Sequence, residues 1–90
     1  LAITPKQRAY LKSQAHHLKA VVFVGKEGVT EQTIRSIEEA LHNRELIKVK
    51  VLEAGAELER RVDGAELVQT IGRIAVLYRR HPEKPEIVLP

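Results

Sequence analysis

The most constraining stretch of this sequence is Leu46 to Leu52, which reads Leu-Ile-Lys-Val-Lys-Val-Leu. Ile47, Val49 and Val51 alternate with Lys48 and Lys50. A period of two places the first set on one face of a strand and the lysines on the other. Such a strand needs a layer over its apolar face and neighbours for its backbone. Candidates lie close by. Ala20 to Val24 is a continuous apolar run, too short for a typical helix and rich in β-branched residues, so it is expected to be a buried strand. Leu67 to Ile71 and Ile74 to Arg79 flank Gly72-Arg73, a two-residue hairpin loop.

Helices are expected between these strands. Thr4-Pro5-Lys6-Gln7 announces the first: Thr4 caps free N–H groups, Pro5 suits the first helical position and Gln7 completes a capping box. Leu11, Ala15 and Leu18 follow as a narrow apolar stripe. Arg8, Lys12, His16 and Lys19 form a basic stripe beside it, within about 80° of one another around the helix axis. Val29-Thr30-Glu31 opens a second helix, with Thr30 as N-cap and Val29 stapled onto Ile34. Its core stripe is Ile34, Ile37 and Leu41, and it should stop near Asn43. Ala54 to Asp63 is a short third helix closed by Gly64. The tail, residues 81–90, has prolines at 82, 85 and 90 and should be extended and loosely held, with Ile87, Val88 and Leu89 docking as an edge segment. The predicted fold is α/β in the order α-β-α-β-α-β-β: a two-layer domain over residues 1–90 with a mixed sheet of about four strands.

Composition narrows the chemistry. A 90-residue chain supports one core. Phe23, Tyr10 and Tyr78 are the only aromatic residues, so Leu, Ile, Val and Ala must fill that core, and Phe23 is expected inside it. There is no Cys, which excludes a disulfide framework and a thiolate metal site. The four histidines have no ligand-like spacing, and no triad or paired-carboxylate arrangement is visible, so neither a metal nor catalysis is expected. No apolar run approaches the roughly 20 residues that span a bilayer, and the first residues run straight into a charged segment unlike a signal peptide. A cytoplasmic protein is expected. A net charge of +3 and a pI near 9.5 favour an anionic partner.

Gly25-Lys26-Glu27-Gly28 stands between the first strand and the second helix. Two glycines let backbone approach a ligand, and the helix N-terminus that follows suits a phosphate. Lys26 adds a cation and Glu27 opposes it. Glycines at this spacing also serve ordinary strand-to-helix turns, so the loop has both a structural and a binding reading. Arg79-Arg80 after Tyr78 is similarly open, either a strand end or part of a basic surface. Of the aromatics only Tyr78 and Phe23 could stack on a base, and with Phe23 assigned to the core, backbone and shape recognition should dominate.

The chain also resembles the YhbY-type CRM (chloroplast RNA splicing and ribosome maturation) domain family. The likeness is carried by Thr4-Pro5-Lys6-Gln7, Leu11-Lys12, Ala15-His16, Leu18-Lys19, Val21-Val22, Gly25-Lys26-Glu27-Gly28, Glu45-Leu46-Ile47-Lys48-Val49-Lys50, Ile71-Gly72-Arg73 and Val76-Leu77-Tyr78-Arg79. It implies a fold like the C-terminal domain of bacterial translation initiation factor 3. It also implies an RNA-binding GxxG loop and association with ribosomal RNA in large-subunit (pre-50S) precursors. The segment Leu52 to Glu66 is short for the family, which implies either a truncated third helix or, the preferred reading, a break in the chain near Glu53 to Gly55. The expected RNA-binding residues are Gly25, Lys26, Glu27, Gly28, Arg8, Lys12, Lys19, Lys48 and Lys50. The expected protein is a monomeric, non-enzymatic ribosome assembly factor with no cofactor, small-molecule substrate or membrane partner. The alternative is a protein–protein adaptor docking on a ribosomal protein.

Overall fold

The computed structural model describes residues 3–51 and 55–90. Helix α1 (Pro5–Ala15) starts as its first four residues dictate. The Thr4 hydroxyl accepts the Gln7 N–H at 3.1 Å, and the Gln7 side-chain oxygen accepts the Thr4 N–H at 3.0 Å. The helix ends at Ala15, with His16 as its cap, so the expected stripe is shorter than its spacing suggested. Ser13, His16 and His17 are weak helix formers, and the chain must turn here to feed the first strand. Leu18 still packs on the core, from a turn in which its N–H bonds the Ala15 carbonyl at 3.0 Å. Lys19 follows that turn and has left the helical stripe.

The strands β1 (Ala20–Phe23), β2 (Leu46–Lys50), β3 (Glu66–Ile71) and β4 (Ile74–Tyr78) form one sheet in the order β1-β2-β4-β3. β1 runs parallel to β2, through a crossover that contains α2 (Glu31–Arg44), and the other pairings are antiparallel. Ile71 opposes Ile74 across Gly72-Arg73, and only Gly72 of the pair has a positive φ, at 56°, the sign pattern of a type II′ hairpin turn.

Each strand's alternation is used on both faces. On one face Val22, Val24, Ile47, Val49, Val51, Ala75 and Leu77 pack beneath α2, which contributes Ile37 and Leu41, and the short helix α3 (Gly55–Arg61), which contributes Leu58, with Val62 just after it. That is the packing of helices on a mixed sheet that was expected. The opposite face carries a second cluster, Leu46, Val68, Val76 and Tyr78, covered by Leu11 and Ala15 of α1 and by Ile87 and Leu89 of the tail. Tyr78 is thereby buried, at 4% exposure.

Phe23 is the main departure. The reading of Ala20–Val24 as a buried strand placed it in the core, yet it is 68% exposed. β1 is an edge strand with one neighbour, and its second face lies beyond the cover of α1, so Val22 and Val24 turn inward while Val21 and Phe23 face out. The two aromatic candidates therefore exchange places: Tyr78 is enclosed and Phe23 is open.

Helix α3 is seven residues long and narrower than the expected Ala54 to Asp63, with Gly64 beyond it at φ 76°. The expected chain break near Glu53 to Gly55 falls on residues 52–54, outside the described residues. The tail docks without pairing as a strand. Glu45, the residue after α2, holds it: one carboxylate oxygen accepts the N–H groups of Glu86 and Ile87 at 2.8 and 2.9 Å, and the other accepts that of His81 at 2.8 Å. Burial raises the Glu45 carboxyl pKa, but these three bonds and the nearby His81 outweigh it and hold the group below its ordinary value. Glu45 also has a φ of 63°, the only positive value among described non-glycine residues.

Candidate nucleic-acid interface

The glycine loop begins where β1 ends. Val24 N–H bonds the Lys50 carbonyl at 2.8 Å, continuing the ladder by one residue. The chain then turns on a Gly28 N–H to Gly25 carbonyl bond of 3.1 Å. Gly28 sits at φ 79°, where a side chain is strained. Gly25 has no such requirement, and a methyl group there would meet nothing within 4 Å. Internal packing therefore gives no reason for glycine at position 25, whereas close approach from outside would. Lys26 and Glu27 are exposed at the tip. The loop exit is anchored by Arg61 of α3, whose guanidinium donates to the Val29 carbonyl at 2.7 Å. Thr30 then caps α2 by accepting the Thr33 N–H at 3.2 Å.

Beside the loop, pairing sets up a row across the whole sheet. Phe23 is paired with Lys50, Lys50 with Ile74, and Ile74 with Ile71. Their neighbours Val22, Val49 and Ala75 belong to the core under α2 and α3, so the row points to the opposite face. Ile71 is 52% exposed and Lys50 is also exposed. One step further from the loop, Lys48 lines a groove of about 490 Å³ between the sheet and the last turn of α1. Lys12, His16, His17, Gln69 and Ile71 share that groove. Lys12 from the helix and Lys48 from the strand thus converge, and Lys50 continues the same face toward Gly25. Among the described residues the one ion pair is Arg79 with Glu38 at 3.9 Å, so the groove lysines are not neutralised by an internal carboxylate.

Two expected residues lie apart. Arg8 is half-buried, and one of its guanidinium nitrogens donates to the carbonyls of both Leu67 and Val68 at 2.7 Å. Those carbonyls belong to an irregularity in the β3–β4 pairing between Leu67 and Gln69, so Arg8 fastens α1 to a β-bulge. Lys19 lies in a separate hollow with His17, Leu18, Val21, Arg44 and Ile47. Arg79 is also structural, donating to the Asp63 and Glu38 carbonyls at 3.1 and 3.3 Å. Gln69, Ile71 and Phe23 were not among the expected site residues. Strand order and the path of α1 bring Gln69 and Ile71 to the groove and leave Phe23 on the open edge of the same face, and neither is written in local spacing.

No metal-holding group of three or more His, Cys, Asp or Glu side chains occurs among the described residues. None of the described helices is long and apolar enough to cross a membrane. What remains is an open, cationic surface beside a glycine loop, an arrangement suited to a polyanion.

Comparison with known proteins agrees with this chemistry. YqeI of Bacillus subtilis (strain 168), named a probable RNA-binding protein, is 46% identical, with 98% of this chain and 99% of the relative aligned. A protein of Haemophilus influenzae named RNA-binding protein is 45% identical, over 98% of this chain and 95% of the relative. Both alignments run over 95 positions against 90 residues here, so each relative carries residues without a counterpart in this chain. The solution structure of the hypothetical protein SAV1595 from Staphylococcus aureus superposes with a TM-score of 0.81 at 42% identity, covering 98% of this chain and 99% of that one. The model of the CRS1 / YhbY (CRM) domain matches residues 3–79, and with it the loop, the basic strand and the hairpin: the chain belongs to the CRM domain family.

Proposed function

We propose that this chain is a non-enzymatic RNA-binding protein that engages ribosomal RNA in large-subunit precursors through the Gly25–Gly28 loop and the cationic face beside it. The observation that carries the RNA reading is the convergence of Lys12 and Lys48 on one open groove, with Lys50 continuing toward the loop. The curated relatives are named for RNA binding, which supports the class of partner. The ribosomal target rests on the resemblance of the Leu11–Lys50 block to YhbY-type proteins. Phosphates would meet Lys12, Lys48, Lys50 and Lys26, while Gly25 and Gly28 admit the RNA backbone.

Salt titration tests the reading. Each neutralised phosphate of an unpaired strand contributes a slope of about −0.7 to log affinity against log salt. Lys12→Ala, Lys48→Ala and Lys50→Ala should each flatten the slope by about that amount. Lys19→Ala, in its separate hollow, should leave it unchanged. A wild-type affinity for RNA that ignores salt, beside salt-insensitive capture of a purified ribosomal protein, would overturn the proposal in favour of an adaptor. The ribosomal target is tested separately, by crosslinking the protein to RNA in cells. Crosslinks concentrated in large-subunit ribosomal RNA are expected, and their absence there would refute that target.

A further inference from the structure

We infer that Phe23 is a stacking platform for an unpaired RNA base, so that this surface selects single-stranded over duplex RNA. The inference deepens the RNA-binding reading and rests on it. Phe23 is the most exposed of the three Phe and Tyr residues: 68% open, on an edge strand, two residues before Gly25. It is not an isolated surface apolar residue. The row that begins at Phe23 passes through Lys50 and Ile74 and ends at Ile71, itself 52% exposed.

Strands lie about 4.8 Å apart, so the row from β1 to β3 spans roughly 14 Å, enough for more than one base. An apolar row broken by a lysine fits a ligand that alternates flat apolar faces with negative charges. Unpaired RNA has that composition, because splayed bases offer π-faces while the backbone offers phosphates. A duplex does not, since its base faces are stacked inside and only edges and backbone are displayed. Charge selects the occupant as well. Lys48 and Lys12 border the row on the α1 side, and Lys26 lies in the loop beyond Phe23, so a phosphate chain crossing Phe23 meets cations on either side. The other sheet aromatic cannot compete, because Tyr78 is enclosed under α1 and the tail.

The test uses the whole chain, a short unpaired RNA oligonucleotide of mixed sequence, and the duplex formed by that oligonucleotide with its complement. Wild type should prefer the unpaired strand. Phe23→Ala should weaken unpaired binding by about tenfold and duplex binding by less than about twofold, the range expected for losing one base–aromatic stack. Because no charge is removed, its salt slope should match that of wild type. The chain has no tryptophan, so Phe23→Trp introduces a sole indole reporter at the platform. That variant should retain affinity, and its emission should be quenched when unpaired RNA saturates the protein. Undiminished unpaired binding by Phe23→Ala, or indole emission unmoved at saturation, overturns the inference and leaves RNA binding intact. Should wild type bind neither RNA, the broader proposal falls with it.

Discussion

Gly25 and Gly28 are equivalent in the motif and different in the fold. At Gly28 the backbone has φ 79°, so Gly28→Ala forces a side chain into the left-handed region and should cost about 1–2 kcal/mol of stability. At Gly25 there is open space and no positive φ, so Gly25→Ala should be neutral or stabilising by about half a kcal/mol. Urea unfolding of the two variants distinguishes them, and equal losses would contradict the loop geometry. Both should weaken RNA binding if the loop backbone meets phosphate, which separates the ligand's demand for glycine from the fold's. The same scale shows what a run of residues conceals. Ala-Val-Val-Phe-Val has one appearance whether its strand is central or at an edge. The pairing order, which puts β1 at the sheet edge, and the path of α1, which leaves that end of the face uncovered, together decide that Phe23 faces solvent. Glu45 was equally hidden, since the amides that its carboxylate binds lie 36 to 42 residues along the chain.

Elements were legible where their signals are local. The Thr4–Gln7 box, the Thr30 cap, the Gly72-Arg73 hairpin and the alternation of Ile47, Val49 and Val51 each act within a few residues, and each is found where expected. The basic stripe of α1 was not legible in the same way, because Arg8 and Lys12 share a helix face but meet different surroundings. Arg8 joins α1 to the bulge of β3, while Lys12 opens onto the groove. Replacing Arg8 by Met keeps much of the apolar stem and removes the donors. This should destabilise the protein by about 1–3 kcal/mol, since two carbonyls at the bulge lose a charged partner. The salt slope of RNA binding should stay as in wild type. Lys50→Ala should do the reverse, flattening the slope with little effect on unfolding. An Arg8→Met variant of normal stability and reduced slope would return Arg8 to the binding surface.

At the scale of the molecule, the tail is fixed by a charge whose state depends on pH. The folded Glu45 carboxyl lies below its ordinary value, near 4.5, so its contribution to stability is complete above that pH and is lost as pH falls through the lower folded value. Protonation makes one acceptor oxygen a donor that faces an N–H. The amides of His81, Glu86 and Ile87 should therefore lose hydrogen-exchange protection together in acid, relative to the core strands. Glu45→Ala should show the same loss at neutral pH, with a stability cost of about 2 kcal/mol. Protection that persists in that variant would mean the tail is held by Ile87 and Leu89 alone. The docking of Ile87 and Leu89 was foreseen from their apolar side chains, but Val88, expected beside them, is 81% exposed, and a tail expected to be loose is fastened. The means of docking was not foreseen, since three prolines suggested an edge and the fastening is a buried carboxylate.

The path of α1 has a consequence in time. Its apolar stripe packs on Val68, Val76 and Tyr78, and Arg8 reaches carbonyls 59 and 60 residues further on. A chain synthesised from its N-terminus makes this helix before the surface on which it packs. Until the β3–β4 hairpin is complete, Leu11 and Ala15 have little to cover, and the contacts of Arg8 close loops of 59 and 60 residues. A helix made before the sheet is thus placed after it, and the groove between α1 and Lys48 is complete only once β3 has been made.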